Sequence, residues 1–281
     1  MKTRPYLVHA LSPLHAGVGQ AADVIDLPTA RMKATGIPYV PGSSIKGVLR
    51  DVRGGDDERA EAVFGPPPEN ASAHAGALVV TDARLLAMPV RSFQGVFVWA
   101  TSPLLLTLAR RDLARDLPAL PPGRDGRCAW VPPQSVCLVE NKLYLEDLDL
   151  PAQRDETVGA WAALLAPLVS PPGSDIFTGR LAVLDDETMV FLFETGTQVD
   201  THVRIDDTGT VAPGALWLEE SLPPETLLIG LLSADRSRKS GVDMTPDDIL
   251  DYVLPAEKIL QFGGRATTGK GRCRMIPVEA G

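Results

Sequence analysis

The stretch Leu260-Gln-Phe-Gly-Gly-Arg-Ala-Thr-Thr-Gly-Lys-Gly-Arg-Cys-Arg274 combines four glycines with four basic residues and contains no acidic residue. Glycine has no Cβ, so the backbone can come close to a ligand, and successive N–H groups of such a loop can bind an anion. The neighbouring Lys and Arg side chains favour phosphate as that anion. The stretch therefore predicts a phosphate-holding loop, the alternative being a glycine-rich turn beside a solvated basic edge.

This stretch also bears on whether the protein is a nucleoside triphosphatase. Gly264 to Lys270 matches the pattern G-x-x-x-x-G-K, but Gly271 stands where a Ser or Thr should bind Mg²⁺. The motif also requires a helix behind it, whereas Arg272 to Val278 resembles a short strand. A small-molecule NTPase is therefore a remote alternative, and a glycine loop that leads into a strand is the better interpretation.

Charge is distributed unevenly along the chain. The formal net charge is −9, yet Leu27 to Arg50 holds four Lys or Arg and no acid. Lys258 to Val278 holds five basic residues and again no acid, while the rest of the chain has 18 basic residues against 36 acidic ones. This separation predicts an acidic exterior with a basic path, which can bind a polyanion such as RNA.

Cysteine usage and hydropathy indicate the compartment. The cysteines Cys128, Cys137 and Cys273 show no C-x-x-C spacing, and their odd number suggests a reducing environment. The N-terminus does not resemble a signal peptide, and no apolar run approaches the ~18–20 residues of a membrane span. We therefore expect a cytoplasmic protein that does not enter a membrane.

A helix is predicted after the entry Pro41-Gly-Ser-Ser44. One stripe is apolar at helical spacing and consists of Ile45, Val48, Leu49 and Val52. The opposite stripe is basic and consists of Lys46, Arg50 and Arg53. A merely solvated basic face is the usual interpretation of such a stripe, but the N–H groups at this helix entry could also face phosphate.

The order of predicted elements indicates an α+β fold. Strand, helix, strand, strand, helix and strand, with long insertions, favour a ferredoxin-like (RRM-like) core, which is a common platform for RNA. Alternation from Val199 to Ile205, followed by the turn Asp206 to Gly209, predicts a protruding hairpin at about 194–220. Met189 to Phe193 is predicted to be a strand. Long insertions are expected at about 12–42 and 112–135.

The residues most suited to acid–base chemistry lie in the first insertion. His15 is followed by Asp23 and Asp26, so one imidazole and two carboxylates fall within twelve residues. This set could support proton transfer or metal binding, although loops often carry Asp at turns for structural reasons. The sequence contains neither the Gly-x-Ser-x-Gly elbow of serine hydrolases nor the H-E-x-x-H motif of zinc proteases.

Several segments, in order along the chain, resemble the RAMP superfamily of CRISPR proteins, and most closely the family of backbone subunits, the fourth Cmr subunits, of type III-B (Cmr) effectors. The segments are Leu14–Gly17, Val24–Pro28, Thr35–Pro38, Pro41–Arg50, Arg91–Trp99, Ser102–Leu104, Thr201–Asp206, Gly214–Trp217, Glu219–Glu220 and Leu260–Gly271. The resemblance runs nearly end to end, and the stretch from Asp112 to Asp186 adds little to it.

The resemblance implies a single RAMP domain over 1–281 and a definite role. Several copies would stack along a crRNA as a helical filament, and a thumb hairpin from each copy would displace about every sixth nucleotide. Target RNA paired with the guide would be cut once per copy, by attack of the ribose 2′-OH. Other Cmr subunits would be partners: a large polymerase-like subunit, a small subunit and capping RAMP subunits.

The resemblance also assigns residues. Asp26 matches the family's essential aspartate and would hold a divalent metal ion, Mg²⁺ or Mn²⁺, recruited with the target RNA, or position the 2′-OH. His15 would support it, and Asp23 is the rival carboxylate. RNA-binding residues are expected in the helix entry and the glycine loop: Ser43, Ser44, Lys46, Arg50, Gly263, Gly264, Arg265, Thr267, Thr268, Lys270 and Arg272. Thumb residues are expected to be Thr201, Val203 and Arg204.

Two further interpretations stay open. The same subunit could bind guide RNA without cleaving anything, in which case Asp26 is only a turn residue. A guide-processing ribonuclease of the same superfamily is the next alternative, although such enzymes tend to work as single copies. If the guide RNA recognises the target sequence by base pairing, the protein needs no motif that recognises particular bases, and none is found.

Overall fold

The computed structural model describes residues 1–17, 19, 24–53, 57–113, 117–121, 128–171 and 173–278. The strands in these residues are β1 (Lys2–Ala10), β2 (Tyr39–Val40), β3 (Leu78–Val80), β4 (Ala83–Ser92), β5 (Val96–Thr101), β6 (Ala129–Val131), β7 (Lys142–Leu145), β8 (Leu148–Arg154), β9 (Leu181–Val183), β10 (Gln198–Ile205), β11 (Val211–Ser221), β12 (Leu227–Ala234), β13 (Lys258–Gln261) and β14 (Arg272–Pro277). The helices are α1 (Gly42–Val52), α2 (Glu58–Phe64), α3 (Pro103–Leu113), α4 (Glu156–Val169), α5 (Asp186–Thr195) and α6 (Pro246–Val253).

One large mixed sheet organises the chain, which confirms a mixed α/β architecture. Its strand order is β13-β14-β1-β12-β4-β5-β9-β6-β8-β7, with β2 paired to β4 and β3 paired to β12. Around β1 the pairing is antiparallel to both β12 and β14. The pairs β5–β9 and β6–β8 are parallel. Strands β10 and β11 pair with each other in a separate two-stranded sheet.

Strand β1 separates two apolar cores. Its residues from Pro5 to Ala10 are all buried, as expected for a strand covered on both faces. Tyr6 and Val8 belong to the core that α1 and α6 cover, whereas Leu7 belongs to the core of Trp99 and the α4 residue Trp161. Burial of each large apolar side chain contributes ~1.5–3 kcal/mol, so these two cores fix where β1 and its neighbours lie.

Helix α1 forms where the sequence predicts it, with one difference in its apolar stripe. Its first N–H group, that of Gly42, donates to Asp82 Oδ1 over 2.8 Å. Ile45 and Leu49 are buried, but Val52 is 53 % exposed. The buried stripe therefore ends one turn earlier than predicted, because α1 is covered over its first two turns.

The prediction of a strand at Met189 to Phe193 is wrong, because these residues lie in α5. Asp185 is the N-cap, and its carboxylate accepts from the backbone N–H and the hydroxyl of Thr188. Met189, Leu192 and Phe193 are then buried at helical spacing. The capping aspartate outweighs the strand propensity of this short apolar run.

The β10–β11 hairpin turns at residues 206–210. Asp206 accepts hydrogen bonds from the N–H groups of Thr208 and Thr210, and Gly209 takes the positive φ of 82° that the reversal requires. In the hairpin Thr201 pairs with Leu218 and Asp200 pairs with Glu219.

Across the residues described above, no helix has both the length and the apolar composition of a membrane span.

Candidate functional site

The outer edge of β11 collects the segments that carry His15 and Asp26. Leu14 exchanges two backbone hydrogen bonds with Leu222, both 2.9 Å long. Leu27 donates to Leu218 O over 3.1 Å and accepts from Glu220 N over 2.9 Å. Residues 218, 220 and 222 point their backbone groups to the same edge because a strand repeats every two residues. Two loops distant in sequence from β11 are thus held side by side on one strand.

His15 is oriented by this edge. Its Nδ1 lies 2.6 Å from the backbone oxygen of Glu220. A carbonyl oxygen can only accept, so Nδ1 carries the proton and Nε2 of the neutral ring has a lone pair. The ring packs over Gly17, where an added Cβ would come within 2.6 Å of Nε2. The half-buried imidazole is therefore fixed in the tautomer that can accept a proton at Nε2.

Asp26 is anchored two residues away on the same edge. Its Oδ2 accepts from the backbone N–H of Leu218 over 2.8 Å. The anchors of His15 and Asp26, at residues 220 and 218, are roughly 7 Å apart along the strand. Asp23, the rival carboxylate, lies outside the described residues. The structure thus brings His15 and Asp26 together as neighbours on one strand edge.

Glu220 holds the loop that carries Asp26. Its side chain, 2 % exposed, accepts from Thr29 N and Thr29 Oγ1, each over 2.9 Å, and from Thr197 Oγ1 over 2.7 Å. Arg31 completes the set with an ion pair. Burial raises the pKa of Glu220, but the hydrogen bonds from Thr29 and Thr197 and the charge of Arg31 outweigh it and hold that pKa below its ordinary value.

The glycine loop lies beside the segment of His15. Residues 263–269 are all exposed, and positive φ angles at Gly263, Arg265 and Gly269 shape them into a short 3-10 turn. Gly271 N donates to Pro13 O over 2.7 Å. A Cβ at Gly263 would collide with the backbone oxygen of His15, so glycine is required there by close approach. The exposed part of the loop is thereby fixed next to the candidate catalytic residues.

Two basic residues of this loop form ion pairs with the β10–β11 hairpin. Arg265 Nε donates to Glu219 Oε2 over 3.0 Å, and its guanidinium lies 5.5 Å from the ring centroid of Trp217. Lys270 is 8 % exposed, and its ammonium contacts Asp200, Glu219 and Ser221. Thr267, Thr268, Gly264 and Arg272 are exposed, which leaves them open to a ligand.

Helix α1 presents a second group of predicted RNA contacts. Ser43 and Ser44 are exposed at its start, and Arg50 is half-buried. Lys46 Nζ donates to Leu78 O over 2.9 Å, and burial followed by the charge of Arg50 lowers the pKa of Lys46. Arg53, the last residue of the basic stripe, lies 4.8 Å over the ring of Tyr252. This helix packs against β3 and α2, away from the contacts of β11.

The predicted thumb residues Thr201, Val203 and Arg204 are exposed on β10. Val203 faces Leu216 across the hairpin, and both side chains are more than 45 % exposed. The opposite face of the hairpin carries Asp200, which turns toward the glycine loop. One face is thus bound to the rest of the chain, and the other presents apolar surface.

Sequence reasoning missed the roles of Glu219 and Glu220. Adjacent residues of a strand point to opposite faces, so Glu219 reaches the glycine loop while Glu220 reaches Thr29 and Arg31. The signal was present as two adjacent acids in a strand otherwise rich in apolar residues. Their side-chain hydrogen-bond partners are 23 or more positions away in the chain, which the sequence alone does not reveal.

The side chains at this site bear on whether it could hold a cation. Among the residues that the structure describes, no group of three or more His, Cys, Asp and Glu side chains could hold a metal ion. Asp26 offers a carboxylate of which one oxygen already accepts from Leu218. Mg²⁺ often binds through one or two carboxylates, waters and substrate phosphate, so Asp26 suits a metal that RNA phosphate helps to hold.

Comparison with known proteins gives consistent matches over nearly the whole chain. Residues 7–274 match the RAMP superfamily. The CRISPR system Cmr endoribonuclease Cmr4 of Pyrococcus furiosus is 34 % identical over 294 residues, covering 98 % of this chain and 96 % of that protein.

Solved structures agree with this match. Oligomeric Cmr4 from Pyrococcus furiosus has a TM-score of 0.75 at 27 % identity, with 99 % of both chains covered. A second crystal structure of Cmr4 has a TM-score of 0.71 at 28 % identity and covers 100 % of both chains. A chain of the type III-B Cmr-beta complex bound to cognate target RNA matches at TM-score 0.75 and 21 % identity, covering 99 % of this chain and 97 % of that one, which shows a shared fold alone.

Proposed function

The chain belongs to the RAMP superfamily of CRISPR proteins, and from this premise we propose that it is the backbone subunit of a type III-B Cmr effector. It binds crRNA, stacks in several copies along it and cleaves the paired target RNA. The observation that carries the proposal is the convergence of His15, Asp26 and the glycine loop at β11. The relative's name supports ribonuclease activity, and its oligomeric crystal form supports stacking of copies.

The proposed architecture is a single RAMP domain with a ferredoxin-like core and a thumb. Strands β14-β1-β12-β4 are adjacent in that order, and α1 and α6 lie in the connections that follow β1 and β12. Ranked by chain order these four strands read 4-1-3-2, and all their pairings are antiparallel, which supports a ferredoxin-like core. The β10–β11 hairpin is the thumb, whose exposed face with Val203 and Leu216 would wedge beside an unstacked base.

Guide RNA is held through its phosphates. Ser43, Ser44, Lys46 and Arg50 form one contact region at α1, and the exposed residues of the glycine loop form another with Arg272. These groups contact a polyanion without reading bases, since the guide itself reads the target by pairing. The net charge of −9 does not oppose this, because both regions lie in the segments of the chain that lack acids.

Cleavage uses the ribose 2′-OH as the nucleophile: its oxygen forms a bond to the adjacent phosphorus as the bond from phosphorus to the 5′-oxygen breaks. The products are a 2′,3′-cyclic phosphate and a 5′-hydroxyl, whose oxygen takes up a proton. His15 Nε2 accepts the proton of that hydroxyl, since hydrogen bonding at Nδ1 leaves Nε2 as the basic atom. Since the single proton of the hydroxyl goes to His15, Asp26 does not accept from it; one Asp26 oxygen stays on Leu218 N and the other is free to help hold a metal ion. A divalent ion, Mg²⁺ or Mn²⁺, held by Asp26 together with RNA phosphate would stabilise negative charge on the phosphate oxygens. Each copy contributes one such site, so products should recur about every sixth nucleotide.

The partners follow from the same proposal. They are crRNA, target RNA, further copies of this chain, and the other Cmr subunits: the large polymerase-like subunit, the small subunit and the capping RAMP subunits. A catalytically inactive backbone subunit is the second candidate, favoured by the observation that one oxygen of Asp26 is already used by Leu218. In that role Asp26 fixes the loop to β11 and performs no chemistry.

The test is cleavage by the assembled effector. The chain is assembled with crRNA and the other subunits and given a labelled complementary RNA. Products at a regular spacing of about six nucleotides, and none from a non-complementary RNA, are expected. Assembly on crRNA with the target left intact would establish the inactive subunit instead.

A further inference from the structure

Lys270 has all of its hydrogen-bond donors occupied. Its Nζ lies 2.7 Å from Asp200 Oδ2, 2.8 Å from Glu219 Oε1 and 3.3 Å from Ser221 Oγ. An ammonium group has three N–H donors and no acceptor, so these three partners use its full capacity. Such a lysine differs from the exposed Arg272 two positions later, which remains open to a ligand.

The partners of Lys270 explain why it is needed. Asp200 and Glu219 are directly opposite each other in the antiparallel pairing of β10 and β11. Two carboxylates facing each other across a sheet repel and destabilise the pairing. Glu219 is moreover 1 % exposed, so water cannot screen its charge. Lys270 places one positive charge on both carboxylates and removes that repulsion at the base of the hairpin.

The same contact links the hairpin to the site. Lys270 precedes Gly271, whose N–H group is fixed to Pro13 O, two residues before His15. Glu219 lies between Leu218 and Glu220, the residues of β11 to which Asp26 and His15 are anchored. A shift of β11 at Glu219 would therefore move both anchors. Binding of Lys270 to RNA phosphate instead would take the ion-pair partner from Asp200 and leave the buried Glu219 with Arg265 alone.

We infer that Lys270 is a positioning residue that locks the base of the β10–β11 hairpin to the glycine loop, and that it is not a ligand of RNA phosphate. This contact fixes the position of residues 218–220 of β11, which anchor His15 and Asp26. Its effect on cleavage rests on the function proposed above, whereas the lock itself does not. Hydrogen bonds from Lys270 and Arg265 hold the pKa of Glu219 below its ordinary value despite the opposing effect of burial, so the pair remains charged.

The experiment compares Lys270→Met with Arg272→Met from the same loop. Lys142→Met is the matched control, because Lys142 also pairs with a carboxylate, Asp149, but on the exposed β7–β8 hairpin. Amide hydrogen exchange is measured on the isolated chain at β10 and β11. Guide binding is measured as a function of salt, and cleavage is measured in the assembled effector at saturating target.

Lys270→Met should speed amide exchange at residues 198–203 and 216–221 at least 10-fold and lower the cleavage rate at least 10-fold. The salt slope, meaning the slope of log guide affinity against log salt concentration, should stay that of the parent. Arg272→Met should leave exchange unchanged and reduce the slope by about 0.7, the value for one phosphate contact on a single strand. Lys142→Met should change neither. Adding Asp200→Asn to Lys270→Met removes one of the facing carboxylates and should restore much of the protection.

Two outcomes overturn the inference. In the first, Lys270→Met reduces the salt slope of guide binding by about 0.7 and leaves amide exchange unchanged, which would make Lys270 a phosphate ligand. The other is fast exchange that Asp200→Asn does not reduce, which would exclude charge repulsion as the cause. If the parent chain binds no guide, the proposed function fails, yet the exchange data still decide whether the lock exists.

Discussion

Replacing Glu220 by Gln should destabilise the protein strongly, because this buried carboxylate accepts four hydrogen bonds. Two reach Oε2, from Thr29 N and Thr29 Oγ1, and two reach Oε1, from Thr197 Oγ1 and Arg31. A glutamine amide puts an NH₂ group at one of the two oxygen positions. The threonine hydroxyl there can turn and accept from it, but the fixed donor, Thr29 N–H or the Arg31 guanidinium, then faces another donor. Losing one hydrogen bond to a charged group costs ~1.5–3 kcal/mol, and the bonds that remain drop from charged to neutral strength, so the total loss is about 3–6 kcal/mol.

This loss agrees with the ~3–5 kcal/mol expected when one partner of a buried ion pair is removed. The assay is urea unfolding followed by circular dichroism at pH 7. Glu257→Gln is the matched control, because Glu257 also pairs with an arginine, Arg274, but its side chain is 42 % exposed. An exposed pair is worth at most ~1 kcal/mol, so the control should unfold close to the parent.

The pH dependence provides a second readout of the same carboxylate. The folded-state pKa of Glu220 is lowered from 4.5, so its stabilising effect is complete above about that pH and is lost as pH falls through the folded value. The parent should therefore lose stability in acid more steeply than Glu220→Gln. A variant within 1 kcal/mol of the parent at pH 7, with the same acid profile, would refute the reasoning.

Three further predictions concern the site and the RNA contacts. Gly17→Ala should push the His15 ring off Glu220 O and lower the cleavage rate by ~10²-fold with the fold retained; normal rates would show that the Nδ1 bond does not matter. Arg50→Ala and Arg272→Ala should each reduce the salt slope of guide binding by about 0.7 regardless of guide sequence, and dependence on base identity would contradict phosphate binding. Replacing the hairpin tip, residues 204–210, by a short turn should abolish regular product spacing while guide binding persists, and unchanged spacing would exclude a thumb role.

Local signals made the helices around the core predictable. α1 follows its Gly-Ser-Ser entry, and α6 has Thr245 as N-cap with Asp248 completing a capping box. The turn after β10 was predictable too, since Asp206 and Gly209 satisfy the reversal within five residues. α5 was missed because one capping residue, Asp185, decides between helix and strand in a short apolar run.

The candidate site was predictable in its residues but not in its connections. The grouping of His15 with two carboxylates is visible in the sequence, and the resemblance selects Asp26 over Asp23. Their common support on β11 depends on contacts about 190 or more positions away in the chain. Lys270 illustrates the limit best. In the sequence it is one more basic residue of a glycine loop, and its partner Asp200 lies 70 positions away, so only the folded chain brings the two together. The cytoplasmic location stays a prediction from composition.

Asp26→Asn tests the central claim most directly, because it keeps the size of the side chain and an oxygen for Leu218 N while removing the charge. The measurement is the single-turnover cleavage rate of a labelled complementary RNA by the assembled effector, with guide and target affinity measured in parallel. If Asp26 takes part in the chemistry, the affinities and the copy number on the guide stay unchanged, and the rate falls by ~10²-fold or more at every site. Cleavage at the parental rate and spacing by Asp26→Asn would contradict this claim.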